Sequence, residues 1–381
     1  MGKSVYLDHA ATTPVDPVVF EAMRPYLTDK FANPSSVHAF GREARAAVDE
    51  ARDSIASAVG GSASEIVFTS GGTEADNLAV LGAARANRSK GDHIVTCATE
   101  HHAVLESCEQ LENEGFRVTI LPVDPDGLLD PDAVDAAIDG KTILVSIMHV
   151  NNEIGVIQPI SAIGRLAREK GALFHTDAVQ SFGVLPIDVD RLNVDLLSAS
   201  AHKIYGPKGS GFLYVRSGVR VHPLQVGGGQ ERERRPGTEN VAGIVGLKAA
   251  AELAVSLLDT APARLAEMRD YLIEGIFARI SGVHSNGHRQ LRAPGNANLS
   301  FEGVEGEALL LNLDLEGIAA SSGSACTAGS VEPSHVLVAL GIPRELAQGS
   351  LRLTVGRGTT KEDLDQAIDA IESIVTRLRA L

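Results

Sequence analysis

The chain has 381 residues, which suits a large domain plus a smaller one, not a single small core. With 34 Lys and Arg against 49 Asp and Glu its formal charge is −15, which leaves no electrostatic footprint for direct nucleic-acid or anionic-membrane binding. At 44% hydrophobic and 22% charged residues it is not a disordered chain, and three cysteines are too few for a disulfide framework.

The start, Met1-Gly2-Lys3-Ser4-Val5-Tyr6-Leu7-Asp8-His9, lacks the apolar core of a signal peptide, and no uncharged apolar run is long enough to span a membrane. The expected setting is therefore soluble and cytoplasmic. From residue 66 onward, short apolar runs alternate with amphipathic stretches. Ile66–Thr69 reads as a strand, followed by Ser70-Gly71-Gly72-Thr73 and a helix from Glu74 to Ala86. Strands follow at His93–Thr96, Val118–Leu121, Ile143–Ile147, Leu173–Asp177 and Leu196–Ala199. Helices separate them at His102–Glu114, Asp132–Ile138 and Ile160–Lys170. Such alternation predicts an α/β fold with a mainly parallel sheet covered by helices on both faces. Gly209–Val215 adds a further strand.

After Gly243 the texture changes to two long helices, Ile244–Leu258 and Pro262–Ile280. Short strands follow at Asn298–Phe301, Ile318–Ser321 and Leu351–Val355, then an amphipathic helix from Lys361 to Leu381. The expected division is a large α/β domain over residues 15–255, with 1–14 and 256–381 forming a smaller α+β domain.

Two residues stand at predicted strand ends. Lys203 lies in Ser200-Ala201-His202-Lys203-Ile204-Tyr205-Gly206-Pro207, just after a strand, where open α/β sheets place ligands. Most lysines in such loops are simply solvated. Asp177 ends Leu173-Phe174-His175-Thr176-Asp177, where an Asp is also a common helix cap. Together they form the pairing of pyridoxal phosphate (PLP) enzymes, an amine for the aldehyde and a carboxylate for the ring nitrogen. The turn Ser70–Thr73 offers backbone N–H groups at a helix start, suited to a phosphate, and is neither a Walker loop nor Gly-x-Gly-x-x-Gly. His101 or His102, a few residues past a strand, could stack on the cofactor ring and move protons. Cys326, in Ser321-Ser322-Gly323-Ser324-Ala325-Cys326-Thr327, is flanked by small polar residues, unlike Cys97 and Cys108, and an exposed thiol is a liability unless used.

These stretches resemble the IscS- and NifS-like cysteine desulfurases, a branch of the class V aminotransferase group of PLP enzymes (fold type I). The resemblance extends over Tyr6–Pro14, Asn33–His38, Thr69–Asn77, Thr99–His101, His149–Gly155, Ala201–Gly209, Gly227–Glu231 and Ser321–Thr327. It implies that Lys203 is the Schiff-base lysine, that His101 stacks on the ring, that Asp177 pairs with its nitrogen, and that Gln180 bonds its phenolic oxygen. Gly72, Thr73, Ser200 and His202 would hold the phosphate. Asn152 would contact cofactor or substrate, and Asn33 and Arg352 the substrate carboxylate. Thr238 would reach the phosphate of a neighbouring subunit in a homodimer. Cys326 would take sulfur from L-cysteine as a persulfide, releasing alanine, and pass it to an acceptor such as an iron–sulfur scaffold. No resident metal is implied, although Cys326 could transiently ligate a cluster.

Two departures from the family pattern are present. Arg235-Pro236-Gly237-Thr238 stands where many relatives have Arg-Ser-Gly-Thr, and the chain stops at Leu381, short of a tail that some relatives use on the scaffold. Rival readings are a selenocysteine lyase, another class V aminotransferase, and a non-catalytic sulfur relay.

Overall fold

The structure, a computed structural model, describes residues 4–322 and 333–380. Among them a seven-stranded sheet forms the centre. Its strands are β2 (Ile66–Thr69), β3 (His93–Cys97), β4 (Arg117–Leu121), β5 (Thr142–Ser146), β6 (Leu173–Asp177), β7 (Leu196–Ser200) and β8 (Gly211–Val215), after β1 (Val5–Tyr6) near the N-terminus. The spatial order is β2-β8-β7-β6-β5-β3-β4. Pairs from β7 through β4 are parallel, whereas β8 runs antiparallel to both β2 and β7. Every residue of β2, β3, β5, β7 and β8 is buried, as expected of strands covered on both faces.

The second layered unit pairs β10 (Asn296–Phe301) with β9 (Val283–Ser285) and β12 (Ser350–Thr354), all antiparallel. Val5 and Tyr6 of β1 pair in parallel with Ile318 and Ala319 of β11 (Ile318–Ala319), so the N-terminus joins this unit. Four apolar clusters result among the described residues, and two of them are the largest. One gathers residues between Val19 and Ala254, and the other joins Val5 and Leu7 to residues between Met268 and Val375. Leu299, Leu351 and Leu353 are fully buried in the second, and each such side chain contributes roughly 1.5–3 kcal/mol.

The structure adds elements the apolar pattern did not reveal. Helices cover Pro17–Leu27 and Ala39–Val59. The second buries Ala44, Ala47, Val48, Ala51, Ile55 and Val59, a helical stripe that mixes small alanines with larger aliphatic side chains. It ends at Gly60 with φ 75°, a left-handed cap that glycine adopts without steric cost. Helices at Gly306–Leu315, His335–Ala339 and Arg344–Gln348 were also not anticipated. The expected Glu74–Ala86 helix starts earlier, at Gly72, and runs to Asn87 through a π-helical stretch at Leu78–Gly82. Among the described residues no single helix is long and apolar enough to cross a membrane. The bent pair Val241–Ser256 and Ala261–Arg279 meets that test only jointly.

Candidate active site

A cavity of about 300 Å³ opens at the carboxyl ends of β6 and β7. It is lined by Gly72, Thr73, His101, Asn152, Asp177, Gln180, Ser200, His202, Lys203 and Arg352. Ten residues singled out from the sequence thus meet at one place. Asn33 and Thr238 do not line it; both are exposed. The Asn33 carboxamide oxygen accepts from the Ser35 backbone N–H at 2.9 Å. Cys326 lies outside the described residues.

Local chain geometry positions each group. Lys203 closes a short 3₁₀ turn, Ala201–Lys203, that follows β7 directly. Its Nζ donates to the carbonyl oxygens of Ala10 (2.5 Å) and Ala11 (2.8 Å). Gln180 Nε2 donates to the same Ala10 oxygen at 2.9 Å, so the N-terminal segment forms one wall. Tyr205 has φ 67°, a backbone state that L-residues rarely take. Its N–H donates to Thr13 Oγ1 at 2.8 Å, and its hydroxyl accepts from the Arg357 N–H at 2.6 Å. These bonds hold the turn beside Lys203 in a strained form.

Asp177 ends β6, and its Oδ1 accepts from the Val179 N–H at 2.8 Å. Burial pushes its carboxyl above the ordinary range, opposed by His101, the Val179 bond and Lys203. His101 caps the His102–Asn113 helix, with Nδ1 accepting from Ala103 N–H at 3.1 Å, which leaves Nε2 to carry the ring proton. Burial lowers its pKa, Asp177 pulls it back up, and Lys203 adds to the lowering. His202 is held at about 4, chiefly by burial, and is neutral near pH 7.

The residues fit PLP on their own terms. One end of the cavity carries the Gly72–Thr73 helix start, Ser200 and His202. Ser200 Oγ is buried with no hydrogen-bond partner among the described residues, a donor awaiting an acceptor such as a phosphate oxygen. A Cβ at Gly72 would come within 2.7 Å of Val179 Cγ2, so only glycine lets this turn approach so closely. Asp177 suits a protonated ring nitrogen, and Lys203 an aldehyde.

Sequence reasoning gave no role to several other cavity residues. Asp76, Met148, Glu153, Val179 and His335 also line it. Asp76 and Glu100 are fully buried, and burial raises both carboxyls well above their usual range. Their only sequence signal was membership of the Thr69–Asn77 and Thr99–His101 motifs.

The sequence profile of class V aminotransferases matches residues 5–367. The chain is 55% identical over 381 residues to the cysteine desulfurase IscS of Dictyoglomus turgidum, covering 100% of this chain and 97% of that protein. It is 54% identical to the cysteine desulfurase IscS of Methanosarcina thermophila, covering 99% and 93% respectively. Among solved structures, a NifS-like protein superposes with a TM-score of 0.93 at 38% identity, covering 98% of this chain and 100% of that one.

Proposed function

The chain belongs to the class V aminotransferase family, and from that premise we propose that it is a PLP-dependent cysteine desulfurase. The observation that carries the reading is the shared cavity of Lys203, Asp177, His101 and Ser200 at the ends of β6 and β7. PLP, when bound, supplies an electron sink for bonds broken at the substrate's α- and β-carbons.

The chain's residues supply the rest. Asp177 would keep the ring nitrogen protonated, and Gly72, Thr73, Ser200 and His202 would hold the phosphate. Lys203 would hold the cofactor, and its amine would move protons at the substrate carbon. His101, with its proton on Nε2, would pack over the ring, and Gln180 would hydrogen-bond its phenolic oxygen. Asn152, which lines the cavity, would contact cofactor or substrate from the ring edge. Arg352 receives the carboxylate of L-cysteine, with Asn33 added from outside the cavity.

Cys326 is the sulfur carrier in this reading. Its thiolate forms an S–S bond with the substrate sulfur while the substrate C–S bond breaks, and the remaining carbon takes a proton and leaves as alanine. A thiolate of an acceptor protein that assembles iron–sulfur clusters then takes the outer sulfur, and the S–S bond breaks to leave Cys326 as its thiolate. Support comes from the names borne by the relatives, both cysteine desulfurases.

The working form in this reading is a cytoplasmic homodimer in which Thr238 reaches the neighbouring phosphate. Phe20, Phe31, Val37, Phe40 and Val226 are all exposed, and such apolar side chains suit a subunit interface. The test is alanine production from L-cysteine by purified protein. If a Cys326→Ser variant kept full reductant-dependent sulfide release, the persulfide step would be wrong.

A further inference from the structure

Thr238 is exposed, yet the chain on both sides of it is tied down by buried charge. Seven residues before it, Glu231 receives a bidentate guanidinium bond from Arg52 at 2.6 and 2.7 Å. The same carboxylate accepts from the Phe68 N–H at 2.9 Å. Both partners are nearly inaccessible, at 7% for Arg52 and 3% for Glu231. Three residues before Thr238, Arg235 Nε donates to Glu74 Oε1 at 2.9 Å. Glu74 also accepts from the Ser70 N–H at 2.6 Å, within the turn assigned to phosphate. One residue after Thr238, Glu239 accepts from Arg45 Nη2 at 2.8 Å, and its carboxylate is 2% accessible. Arg45 and Arg52 belong to one helix, Ala39–Val59.

The backbone between these ties is strained. Glu231, Arg232 and Glu233 have φ of 47°, 55° and 65° in succession. L-residues visit this region singly, so three together need an outside force to hold them. The buried Arg52–Glu231 pair and the partly exposed Arg235–Glu74 pair on either side supply it. Gly237 continues the tight path at φ 105°, its N–H donating to Gln230 Oε1 at 3.0 Å.

We propose that the pairs Arg52–Glu231, Glu74–Arg235 and Arg45–Glu239 form a clamp that pre-organises Thr238 as a phosphate ligand for a second copy of this chain. Glu231, Arg235 and Glu239 are then positioning residues for a site they never touch. The proposal rests on the dimeric reading above and adds how the cross-subunit residue is held. It also makes Glu74 a link, since it binds both its own phosphate turn and the arm lent to the partner.

The test uses mixed dimers isolated through two different tags. One chain carries Lys203→Ala, so a single site per dimer keeps the lysine. The readout is the dissociation constant of PLP for that site, from its absorbance. Single substitutions would strand a buried charge, so both partners are changed together, in Arg52→Met/Glu231→Gln and, separately, Arg45→Met/Glu239→Gln. Placed on the Lys203→Ala chain, which lends its Thr238 to the competent site, each double variant should weaken PLP binding about tenfold, the loss of one charge-assisted bond. Placed on the competent chain, the Arg45→Met/Glu239→Gln pair should change it less than about threefold. Thr238→Ala on the lending chain should match the larger effect. If Thr238→Ala acts across the interface and neither double variant does, the clamp is refuted. If Thr238→Ala has no effect across the interface, the dimeric reading falls and takes the clamp with it.

Discussion

The guanidinium of Arg352 donates to the carboxylate of Asp8 at 2.9 Å, although 344 residues separate them in the chain. Its other terminal nitrogen donates to the Asn152 carbonyl at 2.9 Å, and only 2% of the side chain is accessible. Arg352 Nε has no hydrogen-bond partner among the described residues. The unpartnered Nε–H of a guanidinium held at both terminal nitrogens suits the carboxylate-binding role proposed for Arg352.

Arg352→Lys is expected to raise KM for L-cysteine about 10- to 100-fold, because a point charge cannot serve Asp8, Asn152 and a carboxylate together. Steady-state kinetics check this. An unchanged KM would remove Arg352 from substrate binding.

Lys203→Ala is expected to abolish covalent attachment of the cofactor and to lower alanine formation at least about 10²-fold. Borohydride reduction followed by mass measurement of the intact chain reads the attachment. The wild-type chain should gain the mass of the reduced cofactor and the variant should not.

His175 is fully buried between Ser146 Oγ (2.8 Å) and Ser198 Oγ (3.0 Å), and burial lowers its pKa to about 3. A histidine depressed in the folded state stabilises the fold above its ordinary value of 6.5 and loses that contribution as pH falls toward 3. Thermal unfolding should therefore show a falling Tm below pH 6.5, with a shallower slope in His175→Gln. Parallel slopes in the two proteins would contradict the assignment.

Asp76 behaves in the opposite sense. Burial, and then the nearby Asp177, raise its carboxyl well above 3.8. A raised acid stabilises the fold below its ordinary pKa and loses that contribution as pH rises through the folded value. Asp76→Asn, which mimics the neutral acid, should raise the Tm of cofactor-free protein at pH 7 by about 1–4 °C, with no gain near pH 4. Equal gains at both values would mean the effect is not ionisation.

Much of this was legible in the chain, for physical reasons that differ by residue. Strands such as β6 and β7 are buried on both faces, so they appear as apolar runs whose ends mark Asp177 and Lys203. The Ala39–Val59 helix was missed although its buried Ala44, Val48, Ala51, Ile55 and Val59 recur at helical spacing, because the charged residues between them break any apolar run. The antiparallel run of β8 depends on sheet pairing, which no local pattern encodes. Buried carboxyls such as Asp76 and Glu100 look like any acidic residue until the fold removes their water. The pairing of Arg352 with Asp8 and the wall made by Ala10 and Ala11 exist only once β1 has joined β11.

The central claim is that this chain moves sulfur from L-cysteine onto its own Cys326. The direct measurement is single-turnover incubation of purified PLP-loaded protein with ³⁵S-labelled L-cysteine, without reductant, followed by alanine assay and peptide mapping. The account predicts one alanine per labelled sulfur, with the label on the Cys326 peptide, released by thiol and absent from Cys326→Ser. Failure to form alanine, or equal label on Cys97 or Cys108, would contradict it.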